Sequence, residues 1–62
     1  SWMSTEELAS AVANLPESIR GVAEGILVQN RTMSDVSQAL AIRQAELVSR
    51  LHRAKLLIAA SR

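Results

Sequence analysis

The sequence predicts an all-α fold, a small four-helix domain, and three observations carry that expectation. One proline and two glycines in 62 residues leave few positions that stop a helix. Apolar residues recur three and four positions apart, and no stretch sustains the period-two alternation of β-branched residues that a strand requires. Helix-start chemistry stands at Ser4-x-x-Glu7, at Pro16 and around Thr32.

The first helix is expected over residues 4–14. Ser4 and Glu7 fit a capping box, and Leu8, Val12 and Leu15 form the apolar face. Pro16 suits the first turn of the second helix, since its φ is fixed and its missing N–H is not needed there. That helix is expected over 16–28, with Ile19, Val22, Ala23, Ile26 and Leu27 as its stripe. Gly21 and Gly25 lie four apart inside it. Each disfavours the helix by about 1 kcal/mol relative to alanine, so close approach by another helix is the expected reason for them. Gln29, Asn30 and Arg31 make a loop. The third helix covers about 33–40, with Asp35 near its positively polarised N-terminus and Val36 and Leu40 turned inward. The fourth begins near Arg43 and continues to about 60, burying Leu47, Leu51, Ala54 and Ile58.

A chain of this length is one domain, residues 1–62, near the size at which a hydrophobic core is marginal. Without cysteine it has no disulfide or thiolate metal site to support it. No run reaches the length of a membrane span and no apolar signal-peptide core is present, so a cytoplasmic setting is expected. Net charge is only +1, but it is unevenly distributed. Residues 1–30 carry four acids (Glu6, Glu7, Glu17, Glu24) and one base (Arg20), a net −3. Residues 31–62 carry six bases and two acids, a net +4. A basic half of this kind fits a polyanionic partner, and the wet face of an ordinary helix gives weaker versions of the same asymmetry.

Residues 32–54 concentrate the signal. A supporting helix at about 33–40, a break at Ala41-Ile42 and a recognition helix at about 43–54 have the pattern of a helix-turn-helix. Val36, Leu40, Ile42 and Leu47 fill the apolar positions where the two helices meet, and Ser37 is small at the crossing. Ala41 stands in the turn, where glycine is commonest because that residue often adopts positive φ. In that conformation an alanine costs about 1 kcal/mol. Arg43, Gln44 and Ala45 form the first turn of the recognition helix, and Val48, Ser49 and His52 continue its exposed face. Gln44 suits adenine, Arg43 guanine, and Ala45 or Val48 a thymine methyl. Arg50 and Arg53, with Arg31, Thr32 and Ser34 ahead of the supporting helix, suit phosphates. The plainer reading is that these arginines are a solvated helix surface. His52 has no second ligand at metal spacing, so no metal is expected.

The stretch from Val22 to Arg53, VAEGILVQNRTMSDVSQALAIRQAELVSRLHR, resembles the DNA-binding domain of the KorA/TrfB family of plasmid transcriptional repressors. LASAVANL near the start is similar to that family's first helix. EGILVQN and LVSRLHR carry the most specific likeness, and the latter with Ala54 also resembles region 4 of bacterial sigma factors. The resemblance implies a repressor that binds a palindromic operator as a dimer, with Gln44, Ala45, Ser49 and His52 on the base-facing surface. Two departures from the family pattern stand out. Ala41 replaces the turn glycine, and Arg50 occupies a normally small or apolar position that bears on the rotation of the recognition helix. The family has a C-terminal dimerisation segment. Here the segment KLLIAA is too apolar for a freely solvated helix end, which points to Leu56, Leu57 and Ile58 as a dimer contact or to packing on a continuation of the chain.

The expected function is therefore a sequence-specific double-stranded DNA-binding regulator, most simply a plasmid or mobile-element repressor acting as a homodimer. The alternative is a helical protein-interaction module, such as an antirepressor or an RNA-polymerase or sigma-like adaptor, suggested by the apolar residues 56–60 and the acidic first half. Enzymatic activity is the poorest fit: no catalytic residues, cofactor or small-molecule ligand are evident, with one histidine, no phosphate-cradling glycine loop and no paired carboxylates.

Overall fold

The computed structural model describes residues 3–62; Trp2, to which no role is assigned, lies outside the described residues. Four helices follow one another without a strand among the described residues: α1 (Thr5–Ala13), α2 (Glu17–Ala23, wound on into a π-helical segment, Glu24–Val28), α3 (Met33–Leu40) and α4 (Gln44–Ala60). The protein is thus the small all-α domain expected.

Each boundary has a local cause. Ser4 accepts from the Glu7 N–H at 3.1 Å while Glu7 Oε1 accepts from the Ser4 N–H at 2.9 Å, so the capping box closes α1 as expected. Pro16 lies one position earlier in α2 than expected. Its ψ of 148° places it just outside the helix, where its carbonyl accepts from the Ile19 and Arg20 N–H groups. The Thr32 hydroxyl accepts from the Asp35 N–H at 3.0 Å and starts α3. Arg43 precedes α4 in extended conformation, so the helix itself begins at Gln44, one residue later than expected.

The π-helical segment has no signature in the 3.6-residue apolar period. Gln29 N–H reaches back to the Glu24 carbonyl at 3.0 Å and Arg31 N–H to the Gly25 carbonyl at 2.9 Å, with Asn30 left-handed at φ 56° between them. The wider turn brings three consecutive apolar residues against both halves of the core. Leu27 and Val28 join one cluster, formed by Val12, Leu15, Ile19, Ala23, Ala54 and Ile58. Ile26 joins the other, formed by Val22, Val36 and Leu47 with Ile42 and Leu51 at its edge. The second cluster lies beneath α3 and α4 and fixes how they cross.

Both glycines face α3, and the close approach expected at them is present at Gly25 but not at Gly21. A methyl group at Gly25 would stand 2.7 Å from Val36 Cγ2, and one at Gly21 would stand 3.4 Å from Leu40 Cδ2. Leu40 departs from expectation, being 39% exposed. It is the last residue of α3 and its methyls rest over Gly21, which offers no side chain to cover them. Ile58 requires a correction of the opposite kind. At 1% exposure it belongs to the core and is not available as a dimer contact, whereas Leu56 and Leu57 are exposed.

The turn between α3 and α4 is closed by Ile42 N–H to the Ser37 carbonyl at 3.0 Å and Ala41 N–H to the Gln38 carbonyl at 3.2 Å. This is the Schellman pattern, and Ala41 takes the left-handed conformation it demands, φ 55° and ψ 45°. The turn thus forms with alanine where glycine is preferred, and Ile42 on its far side packs at the edge of the second cluster. Ser37, nearly buried at the crossing, donates to the Ser34 carbonyl and leaves no unsatisfied hydroxyl.

Candidate nucleic-acid interface

Successive residues of a helix are 100° apart, so burial of Leu47, Ala54 and Ile58, with Leu51 at the core's edge, turns Ala45, Ser49, His52 and Arg53 away from the core. All four are exposed, as are Gln44 and Arg43 at the helix start and Val48 on the flank. The face therefore combines a guanidinium and an amide at one end, a small apolar surface at Ala45, and a hydroxyl and an imidazole one and two turns further on. These groups are the donors, acceptors and methyl-contacting surface that reading base edges requires. No side chain caps the first turn of α4, which leaves its N–H groups and its positive dipole end facing outward.

The residues assigned to phosphates divide into two sets. Arg31, Thr32 and Ser34 are exposed at the start of α3, and Arg53 is exposed on α4. The Thr32 oxygen is occupied as the helix cap, leaving its hydrogen free to donate. Arg50 differs. Its Nε donates to Glu46 Oε2 at 2.8 Å and its Nη1 donates to the Ser18 carbonyl of α2 at 3.0 Å. Arg50, expected at a phosphate, thus bridges two helices through two of its donors, with its side chain 31% exposed. Glu46, which carries that bridge, had a signal in the sequence, since a glutamate four residues before an arginine is a favourable helical pair. Ser18 had none, because its part is played by a backbone carbonyl.

The Glu7 carboxyl is held below its ordinary value. The backbone hydrogen bond at Ser4, then the Ser4 hydroxyl and more weakly the charge of Arg62, keep its carboxyl below 4.5. It lies at the start of α1 and takes no part in the α4 face. Two shallow depressions, of about 490 and 440 Å³, lie where Asn14 and Ala11 meet Ser61, also off that face. Among the described residues no group of three or more His, Asp or Glu side chains converges to hold a metal ion. No helix among the described residues is long and apolar enough to cross a membrane.

No protein-family model, curated protein or solved structure matches the chain.

Proposed function

We propose that the protein is a sequence-specific double-stranded DNA-binding regulator of the KorA/TrfB type, a cytoplasmic repressor that occupies a palindromic operator as a homodimer. The observation that carries the reading is the outward face of α4. Ala45, Ser49 and His52 are exposed on the side of α4 away from Leu47 and Leu51, with Arg43 and Gln44 exposed at its start, and that helix follows a Schellman turn after a short capped helix. In this reading α3 and α4 form the helix-turn-helix, the first turns of α4 enter the major groove, and Arg31, Thr32, Ser34 and Arg53 meet phosphates. The net +4 of residues 31–62 supplies the electrostatic attraction. Exposed Leu56 and Leu57 are the apolar groups left for contact between copies.

The direct test is an amide-shift titration of the labelled protein with a short random-sequence duplex at low salt. The expected perturbations cluster on residues 43–53 and on the start of α3, and they vanish as salt is raised. Gln44→Ala is expected to relax base preference at the position it reads, by about 1–3 kcal/mol of discrimination. A second reading, a helical protein-interaction module, is favoured by the exposure of Val48, Leu56 and Leu57, at 51%, 58% and 43%. Absence of any shift on 43–53 at low salt, with a protein partner perturbing Leu56 and Leu57 instead, would select it.

A further inference from the structure

We propose that Arg50 is a positioning residue, which sets the rotation of α4 on α2 and so governs which side chains face the groove. This inference rests on the DNA-binding reading above. Arg50 bonds Glu46 at 2.8 Å within α4 and the Ser18 carbonyl at 3.0 Å across the interface with α2. A guanidinium presents its donors as a rigid planar fork, so two acceptors on different helices fix its orientation and, through it, theirs. The Ser18 carbonyl has a second lone pair for such a bond even while it serves the backbone ladder.

The contacts beneath α4 do not supply this constraint alone. Leu47 packs with Val22 and Val36, Leu51 lies at that cluster's edge, and Ala54 and Ile58 belong to the cluster of Ile19 and Ala23. Such apolar contacts hold the helices together without strong direction, whereas hydrogen bonds weaken steeply with misalignment. Small rotations matter to a reading helix. An atom about 6 Å from the axis moves about 2 Å when the helix turns by about 20°, enough to break a hydrogen bond to a base edge. Arg50 is adjacent to Ser49 and one turn or less from Glu46, His52 and Arg53, so the bridge acts at the middle of the reading face. Its side chain is 31% exposed and that of Glu46 is 52% exposed, which leaves the bridge open to solvent along one edge.

Positioning and phosphate contact make opposite forecasts. The test compares wild type, Arg50→Ala, Arg50→Lys and Glu46→Gln for binding to a duplex selected from random DNA and to an unselected duplex of equal length, each across a salt series. Residual dipolar couplings of the DNA-free proteins report the orientation of α4 relative to α2. With positioning, Arg50→Ala loses about tenfold in affinity for the selected duplex. It keeps its affinity for the unselected one, keeps its salt slope, and shows a reoriented α4. Glu46→Gln lowers the ratio of selected to unselected affinity although it removes a negative charge, and Arg50→Lys retains charge but recovers only part of the ratio. Equal losses on both duplexes with a salt slope reduced by about 1 make Arg50 a phosphate contact and overturn the proposal. An unchanged α4 orientation in Arg50→Ala overturns it as well. If the wild type fails to discriminate duplexes, the DNA-binding reading falls, and the couplings of the free proteins still decide whether Arg50 orients α4.

Discussion

Replacing Gly25 by alanine is expected to destabilise the domain, although alanine favours a helix over glycine by about 1 kcal/mol. The added methyl would meet Val36 Cγ2 at 2.7 Å, against about 3.5–4.0 Å for an ordinary carbon contact. About 1 Å must be absorbed by a valine that is 1% exposed and enclosed by Val22 and Leu47. Overpacking of that kind costs about 1–3 kcal/mol, so the net effect is a loss of about 1 kcal/mol after the helical gain. In a domain this small that is about 4–8 °C in Tm. Gly21 is the internal control. Its methyl would lie 3.4 Å from the end of Leu40, a side chain 39% exposed and free to move, so Gly21→Ala is expected to gain about 0.5–1 kcal/mol. Urea unfolding followed by circular dichroism separates the two, and the midpoints are expected to move in opposite directions at equal slope. A Val36→Ala background should remove the penalty at Gly25. If both alanine variants stabilise the protein equally, the close approach of α3 to Gly25 is not the reason for that glycine.

Two further expectations concern the turn and acid stability. Ala41→Gly removes the strain of a left-handed alanine, about 1–2 kcal/mol, and loosens the unfolded chain by somewhat less, so a net gain of about 0.5 kcal/mol is expected in the same urea assay; a loss would contradict the turn geometry. The Glu7 carboxyl is held below 4.5 in the folded state, so its contribution is present above that pH and disappears as pH falls through the folded value. Stability of the wild type should therefore drop more steeply than that of Glu7→Gln between about pH 5 and 2, and parallel curves would contradict the capping box as the cause.

The helices were legible in the sequence because their signals are local. Ser4 with Glu7, Thr32 with Asp35, and the spacing of Leu47, Leu51, Ala54 and Ile58 each act within one or two turns, and each appears in the structure where those residues stand. Ala41 was legible for the same reason, since a turn between two apolar-periodic segments demands positive φ whatever residue fills it. The π-helical segment at Glu24–Val28 was not, because it arises from the need to feed two clusters at once and leaves the apolar spacing almost unchanged. In the candidate interface, the exposure of Ala45, Ser49, His52 and Arg53 followed from periodicity, and that of Arg43 and Gln44 from their place at the start of α4. The engagement of Arg50 did not, because its second acceptor is a backbone carbonyl 32 residues away, which no side-chain pattern reports. Ile58 belongs by spacing to the core stripe and by position to the apolar helix end, and burial admits only the core role.

If the exposed face of α4 reads double-stranded DNA, selection of bound sequences from a random duplex pool will reveal it. The expected result is enrichment of a palindrome whose half-sites lie about 10 bp apart, with affinity that falls steeply as salt rises. A pool that stays unenriched at low salt, with binding no stronger than to bulk DNA, would contradict it.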